Sequence, residues 1–154
     1  MIDATRRTLI KGSLAVGAAA ATGVLAPRLV LADWNQAAFV SKDLDSALKG
    51  LLGSGAPQTN DAVRIKAPDI ADNGAVVPVT VETSLPNVTA IAIVATGNDR
   101  PLVASFVLGP AALPFVSTRI KMAQTADLIA VVKQGERLFS NVKNVKVTIG
   151  GCGA

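Results

Sequence analysis

Hydrophobic and polar positions along this chain fall into three successive patterns. Gly12 to Leu25 is a mildly apolar run rich in Ala and Gly. Asp33 to Gly53 then shows helical spacing, with Leu44, Ala47, Leu48, Leu51 and Leu52 recurring on one face. Ser41 or Asp43 can cap that helix, and Trp34 and Phe39 just ahead predict a short first helix. Gly53-Ser54-Gly55 ends the run and Pro57 enforces the stop. The helix reads as an amphipathic cover for a sheet, with partner binding as the competing reading.

From Ala62 the pattern shortens to β-prone runs between turn signals. Val63 to Ala67 is a strand closed by Pro68, and Asp72-Asn73-Gly74 is a tight turn. In Ala75 to Thr83, Val77, Val79 and Val81 alternate with Pro78, Thr80 and Glu82. Proline donates no ladder hydrogen bond, so this strand is expected at an edge or with a bulge. Strands follow at Val88 to Thr96, Leu102 to Leu108 and Phe115 to Met122. Asp127 to Lys133 and Glu136 to Val142 pair across a Gln134-Gly135 hairpin loop. Val145, Val147 and Ile149 then face one way, and Lys146 and Thr148 the other. Seven or eight short strands at this spacing predict a mainly β fold, an immunoglobulin-like β-sandwich with an N-terminal helical segment. With one cysteine in the chain, no disulfide braces the two sheets.

Composition narrows the core. Hydrophobic residues make up 50% of the 154 residues but aromatic ones only 3%, so Val, Ile, Leu and Ala must fill the interior. The formal charge of +4 is concentrated at the start, where Arg6, Arg7, Lys11 and Arg28 face only Asp3. The remainder holds 11 basic and 10 acidic residues, which gives no argument for nucleic acid or an anionic membrane.

Thr5 to Lys11 reads T-R-R-T-L-I-K. Adjacent Arg6 and Arg7 before an apolar run match a twin-arginine export signal. The run is shorter and milder than the roughly 20 strongly apolar residues a membrane span needs. Val30-Leu31-Ala32 places small residues at the end, so cleavage is expected after Ala32. A buried helix or an uncleaved anchor is the competing reading. The expected organisation is a signal peptide over 1–32, a helical segment over 33–55, a sandwich over 56–149 and an arm over 150–154. Because the twin-arginine route moves folded cargo, a small domain using it is expected to leave as half of a preassembled heterodimer.

The arm is Gly150-Gly151-Cys152-Gly153-Ala154. Glycine lacks a Cβ, so the arm is thin and flexible, and five extended residues reach roughly 17 Å. Cys152 is the sole cysteine, in a chain expected in an oxidising compartment. The chain contains no histidine to serve as a base, and the nearest cations, Lys143 and Lys146, lie several residues back. An unactivated thiol with a pKa near 8.5 is only a few per cent ionised at about pH 7. Three readings stand on the residues: a covalent carrier, a disulfide staple of a structural or interaction protein, and a small thiol enzyme. One cysteine with scattered carboxylates gives no metal site. Asn87-Val88-Thr89 fits a glycosylation pattern and is read as a turn.

The ending Val147-Thr148-Ile149-Gly150-Gly151-Cys152-Gly153 resembles the C-terminus of the SoxY family, sulfur carriers of periplasmic thiosulfate oxidation. That family ends GGCGG, and Ala154 departs from it at the last position. The export signal and the β-rich middle share the resemblance. It implies the same sandwich, a periplasmic non-catalytic carrier with no cofactor of its own, and covalent sulfur attachment at Cys152. Gly150, Gly151 and Gly153 would supply clearance. The implied partners are a SoxZ-like subunit in a heterodimer, the haem-containing SoxAX cytochrome, the SoxB hydrolase and, where present, the SoxCD sulfur dehydrogenase.

Overall fold

A computed structural model of the chain describes residues 35–53 and 56–148. Among the described residues two short helices come first, α1 (Gln36–Val40) and α2 (Leu44–Leu52). Asn35 caps α1 by accepting from the Ala38 N–H at 3.1 Å. Of the two candidate caps for α2, Asp43 takes the position, accepting from the Ser46 N–H at 2.9 Å and from the Ser46 hydroxyl. Gly53 closes α2 at φ +95°, a conformation that favours glycine. Asn35 Nδ2 donates to the Gly50 carbonyl at 2.8 Å and ties the helices together.

Nine strands follow among the described residues: β1 (Gln58–Thr59), β2 (Val63–Lys66), β3 (Ile70–Ala71), β4 (Val77–Thr83), β5 (Val88–Ala95), β6 (Leu102–Val107), β7 (Phe115–Ile120), β8 (Ala126–Gln134) and β9 (Arg137–Val147). They form a three-stranded sheet, β2-β4-β7, and a larger one ordered β1-β9-β8-β5-β6, with β3 also paired to β9. Leaving aside β1 and β3, these are the A-B-E and G-F-C-C′ sheets of an immunoglobulin-like sandwich. The expected fold class is the one observed.

Between the sheets lies a core built from Val77, Val79 and Val81 of β4, Ile91 and Ile93 of β5, and Leu128, Ala130 and Val132 of β8. Each fully buried Ile or Leu side chain contributes about 1.5–3 kcal/mol relative to exposure. A second apolar cluster lies on the opposite face of the larger sheet. There Ala38, Ala47, Leu48 and Leu52 of the helices meet Ala90, Ala92, Val94, Val131 and Leu138. The helices therefore cover the sheet, as their amphipathic pattern predicts. Covering both faces explains why β5 reads VTAIAIVA with scarcely any polar alternation.

Three expectations are corrected. β4 is not an edge strand but the centre of its sheet; β2 pairs with it only as far as Thr80, so Pro78 sits where that flank is already uncovered. The β8–β9 hairpin loop is Gly135-Glu136 rather than Gln134-Gly135, because Gln134 pairs with Arg137. Gly135 supplies the positive φ, +58°, that a two-residue loop of this kind needs at its first position. Finally, β9 is one continuous strand through Val147 and not two pieces. Among the described residues no helix is long and apolar enough to cross a membrane.

Candidate functional site

Cys152 and its neighbours Gly150, Gly151, Gly153 and Ala154 lie outside the described residues, as do Arg6, Arg7 and the expected cleavage point at Ala32. The structure describes the ground from which the arm departs. The β8–β9 ladder ends at Ala126 opposite Val145, whose side chain is fully buried. Beyond that rung a side chain continues the ladder. Thr125 Oγ1 accepts from the Val147 N–H at 2.9 Å and lies 3.4 Å from the Val147 carbonyl, to which it can donate.

The other edge of β9 is strapped by β3, which runs parallel with Ile70 opposite Lys146 and Ala71 opposite Val147. The Lys146 N–H donates to the Asp69 carbonyl at 2.9 Å, and the Thr148 N–H to the Ala71 carbonyl at 3.0 Å. Lys143 Nζ meets Asp69 Oδ1 at 2.8 Å. The hydrogen bond from Lys143, and then its charge, hold the Asp69 carboxyl below the usual carboxylate range. Lys143 is thereby already paired.

Behind this strap the packing leaves no slack. A Cβ on Gly74 would lie 2.4 Å from the Met122 carbonyl oxygen and 2.8 Å from Val147 Cγ1. The Met122 N–H donates to the Gly74 carbonyl at 2.7 Å. Asn98 braces the same end, donating to the Lys121 carbonyl and accepting from the Ala123 N–H, both at 2.8 Å. Asn144 Nδ2 donates to Asp127 Oδ1 at 2.7 Å. Such an arrangement can hold a strand end in place. It gathers no nucleophile–base pair, and among the described residues no three His, Cys, Asp or Glu side chains converge as metal ligands.

Two pockets lie at the other pole, near the start of β5 and the β6–β7 loop. One, of about 330 Å³, is lined by residues including Pro86, Val88, Leu108 and Pro110; the other, of about 380 Å³, by residues including Arg64, Glu82 and Phe115. Sequence reasoning did not single out β3 or Thr125. A two-residue strand has no periodicity to detect, and a threonine beside a strand start carries no signal until topology sets it against Val147.

A family model described as sulfur oxidation protein SoxY matches residues 48–152. Among solved structures, the sulfur carrier protein SoxY from Chlorobium limicola f thiosulfatophilum is 49% identical, with a TM-score of 0.63, covering 69% of this chain and 96% of that one. A chain from a structure of T cell specificity and activation by the bacterial superantigen toxic shock syndrome toxin-1 matches at 8% identity and a TM-score of 0.39, over 56% of this chain and 99% of that one, a likeness too weak to carry weight. No curated protein matches.

Proposed function

The chain belongs to the SoxY family of sulfur oxidation proteins, and from that premise we propose that Cys152 is the atom-bearing point of a sulfur carrier. Carriage of sulfur in the Sox system is the function its family and its 49%-identical structural relative support. The observation that carries the assignment to Cys152 is the extent of the family match, which runs through the arm and ends on residue 152, the chain's sole cysteine.

In the proposed cycle the Cys152 thiolate and thiosulfate join through a new S–S bond. The cysteine S-thiosulfonate forms with loss of two electrons, which pass to a haem-containing SoxAX enzyme. Water then cleaves the terminal S–S bond at a SoxB hydrolase, releasing sulfate and two protons and leaving a persulfide on Cys152. Where a SoxCD dehydrogenase is present, it takes six electrons from that outer sulfur as three waters supply the oxygens and release six protons, and hydrolysis of the resulting cysteine S-sulfonate releases sulfate and restores the thiol. This chain supplies the attachment point, with Gly150, Gly151 and Gly153 giving clearance in a partner's channel. The chemistry resides in the partners, so the chain acts as a carrier subunit and not as an enzyme. The reading further includes export to the periplasm through Arg6-Arg7, cleavage after Ala32 and a heterodimer with a SoxZ-like subunit.

Intact-mass spectrometry of protein from thiosulfate-grown cells tests this. Cys152 adducts of thiosulfonate or sulfane sulfur are expected, and Cys152→Ser should carry none and fail to support growth on thiosulfate. Finding only free thiol and a disulfide between chains would replace the carrier with a staple. Gly151→Val should slow partner-dependent turnover while leaving the melting temperature unchanged; equal rates would remove the clearance role of the glycines.

A further inference from the structure

We propose that Thr125 is a positioning residue that sets where the carboxy-terminal arm leaves the domain. Backbone pairing between β8 and β9 stops at Ala126 and Val145. Two residues further on, the Thr125 side chain engages both polar groups of the Val147 backbone, at 2.9 Å and 3.4 Å. From the opposite edge β3 holds Lys146 and Thr148 by their N–H groups, at 2.9 Å and 3.0 Å. The strand end is thus gripped from both sides, one grip from backbone and the other from a single exposed hydroxyl. The grip has a geometric consequence. Fixed at Thr148, the chain to Cys152 is four residues long, a maximum of about 14 Å. Only with both grips lost is it released back to Val145, the next buried anchor, and then it is seven residues, about 24 Å. Effective concentration at a fixed target falls roughly as the −3/2 power of tether length, so losing both grips lowers it about twofold, which is the upper limit for losing the Thr125 grip alone. The consequence for sulfur transfer rests on the carrier reading above; the grip itself does not.

The test uses the full mature chain with Thr125→Val, which is isosteric and lacks the hydroxyl, and with Thr125→Ser, which keeps it. Thr125 is exposed, so neither change opens the core. Hydrogen exchange at the Val147 amide should accelerate about two- to tenfold in Thr125→Val, the range of one net hydrogen bond, and return to the parent rate in Thr125→Ser. Unchanged exchange in Thr125→Val overturns the grip. In parallel, enzyme-dependent loading of Cys152 with thiosulfate should fall measurably, by at most about twofold in kcat/KM, for Thr125→Val and recover in Thr125→Ser. Alkylation of Cys152 by iodoacetamide, which needs no docking, should stay constant. Faster exchange with unaltered loading overturns the positioning role. Failure of the parent chain to load at all would sink the carrier reading, while the exchange result would still decide the grip.

Discussion

Gly74→Ala is the sharpest perturbation of the packing behind the arm. The added Cβ would sit 2.4 Å from a backbone carbonyl oxygen, that of Met122, and 2.8 Å from Val147 Cγ1. Contacts under about 3 Å are not sustained, and the nearer atom belongs to backbone, so no side-chain rotation relieves it. Met122 is itself buried, with 1% of its surface exposed, which limits how far that segment can retreat. Overpacking of this kind costs about 1–3 kcal/mol. Displacing the segment also strains the 2.7 Å hydrogen bond from the Met122 N–H to the Gly74 carbonyl, a further loss of about 0.5–1.5 kcal/mol. The stiffer unfolded chain returns about 0.4–1 kcal/mol. The net expectation is a loss of about 2–3 kcal/mol, or about 10 °C in melting temperature for a domain of this size. Gly109→Ala is the matched control, because its Cβ would meet nothing within 4 Å. Urea unfolding followed by circular dichroism measures both. If Gly74→Ala lies within about 0.5 kcal/mol of Gly109→Ala, the close packing at the arm's root is refuted.

Two further outcomes follow from the layers and the charges. Leu48→Ala in α2 should cost about 2–4 kcal/mol, since Leu48 is buried against the outer face of the larger sheet; a loss under about 1 kcal/mol would mean the helices do not seal that face. Asp43, held low by the Ser46 hydroxyl and then the Ser46 N–H, and Asp69, held low by Lys143, both have folded pKa values below the ordinary 3.8. Their stabilisation is therefore complete above that value and lost as pH falls through the lower folded values. With no histidine in the chain, the melting temperature should be level from about pH 5 to 8 and drop below about pH 4; a midpoint that rises on acidification would contradict this.

The strands with a strong period were legible in the sequence and the two shortest were not. Val77, Val79 and Val81 point into the core as their alternation implies, and the unbroken apolar run of β5 anticipates burial on both faces. β1 and β3 have two residues each, too few for any period, and only their parallel pairing to β9 makes them strands. Pro78 misled because a proline reports on its own N–H, whereas a strand's place in a sheet depends on where distant partners begin and end. The hairpin slipped by one residue because Gln134-Gly135 and Gly135-Glu136 are both acceptable two-residue loops; the Gln134–Arg137 register decides between them. Cys152 stands out in the sequence by rarity and position, and it lies outside the described residues. Thr125 was not legible, because its role exists only once β9 has been laid beside it.

Reach bounds the surfaces that the proposed arm could serve within its own chain. β8 starts at Ala126 beside the root of the arm and ends at Gln134, whose Nε2 donates to the Pro86 carbonyl at the rim of the far pocket. Eight residue steps at about 3.3 Å separate those ends by about 26 Å. Thr148 to Cys152 spans at most about 14 Å. On the proposed reading, an arm gripped at its root falls short of the pocket lined by Pro86 and Val88. At the near pole, Lys143 is bound to Asp69 and the chain holds no histidine. On the carrier reading proposed above, the activation that Cys152 needs comes from the active sites it enters.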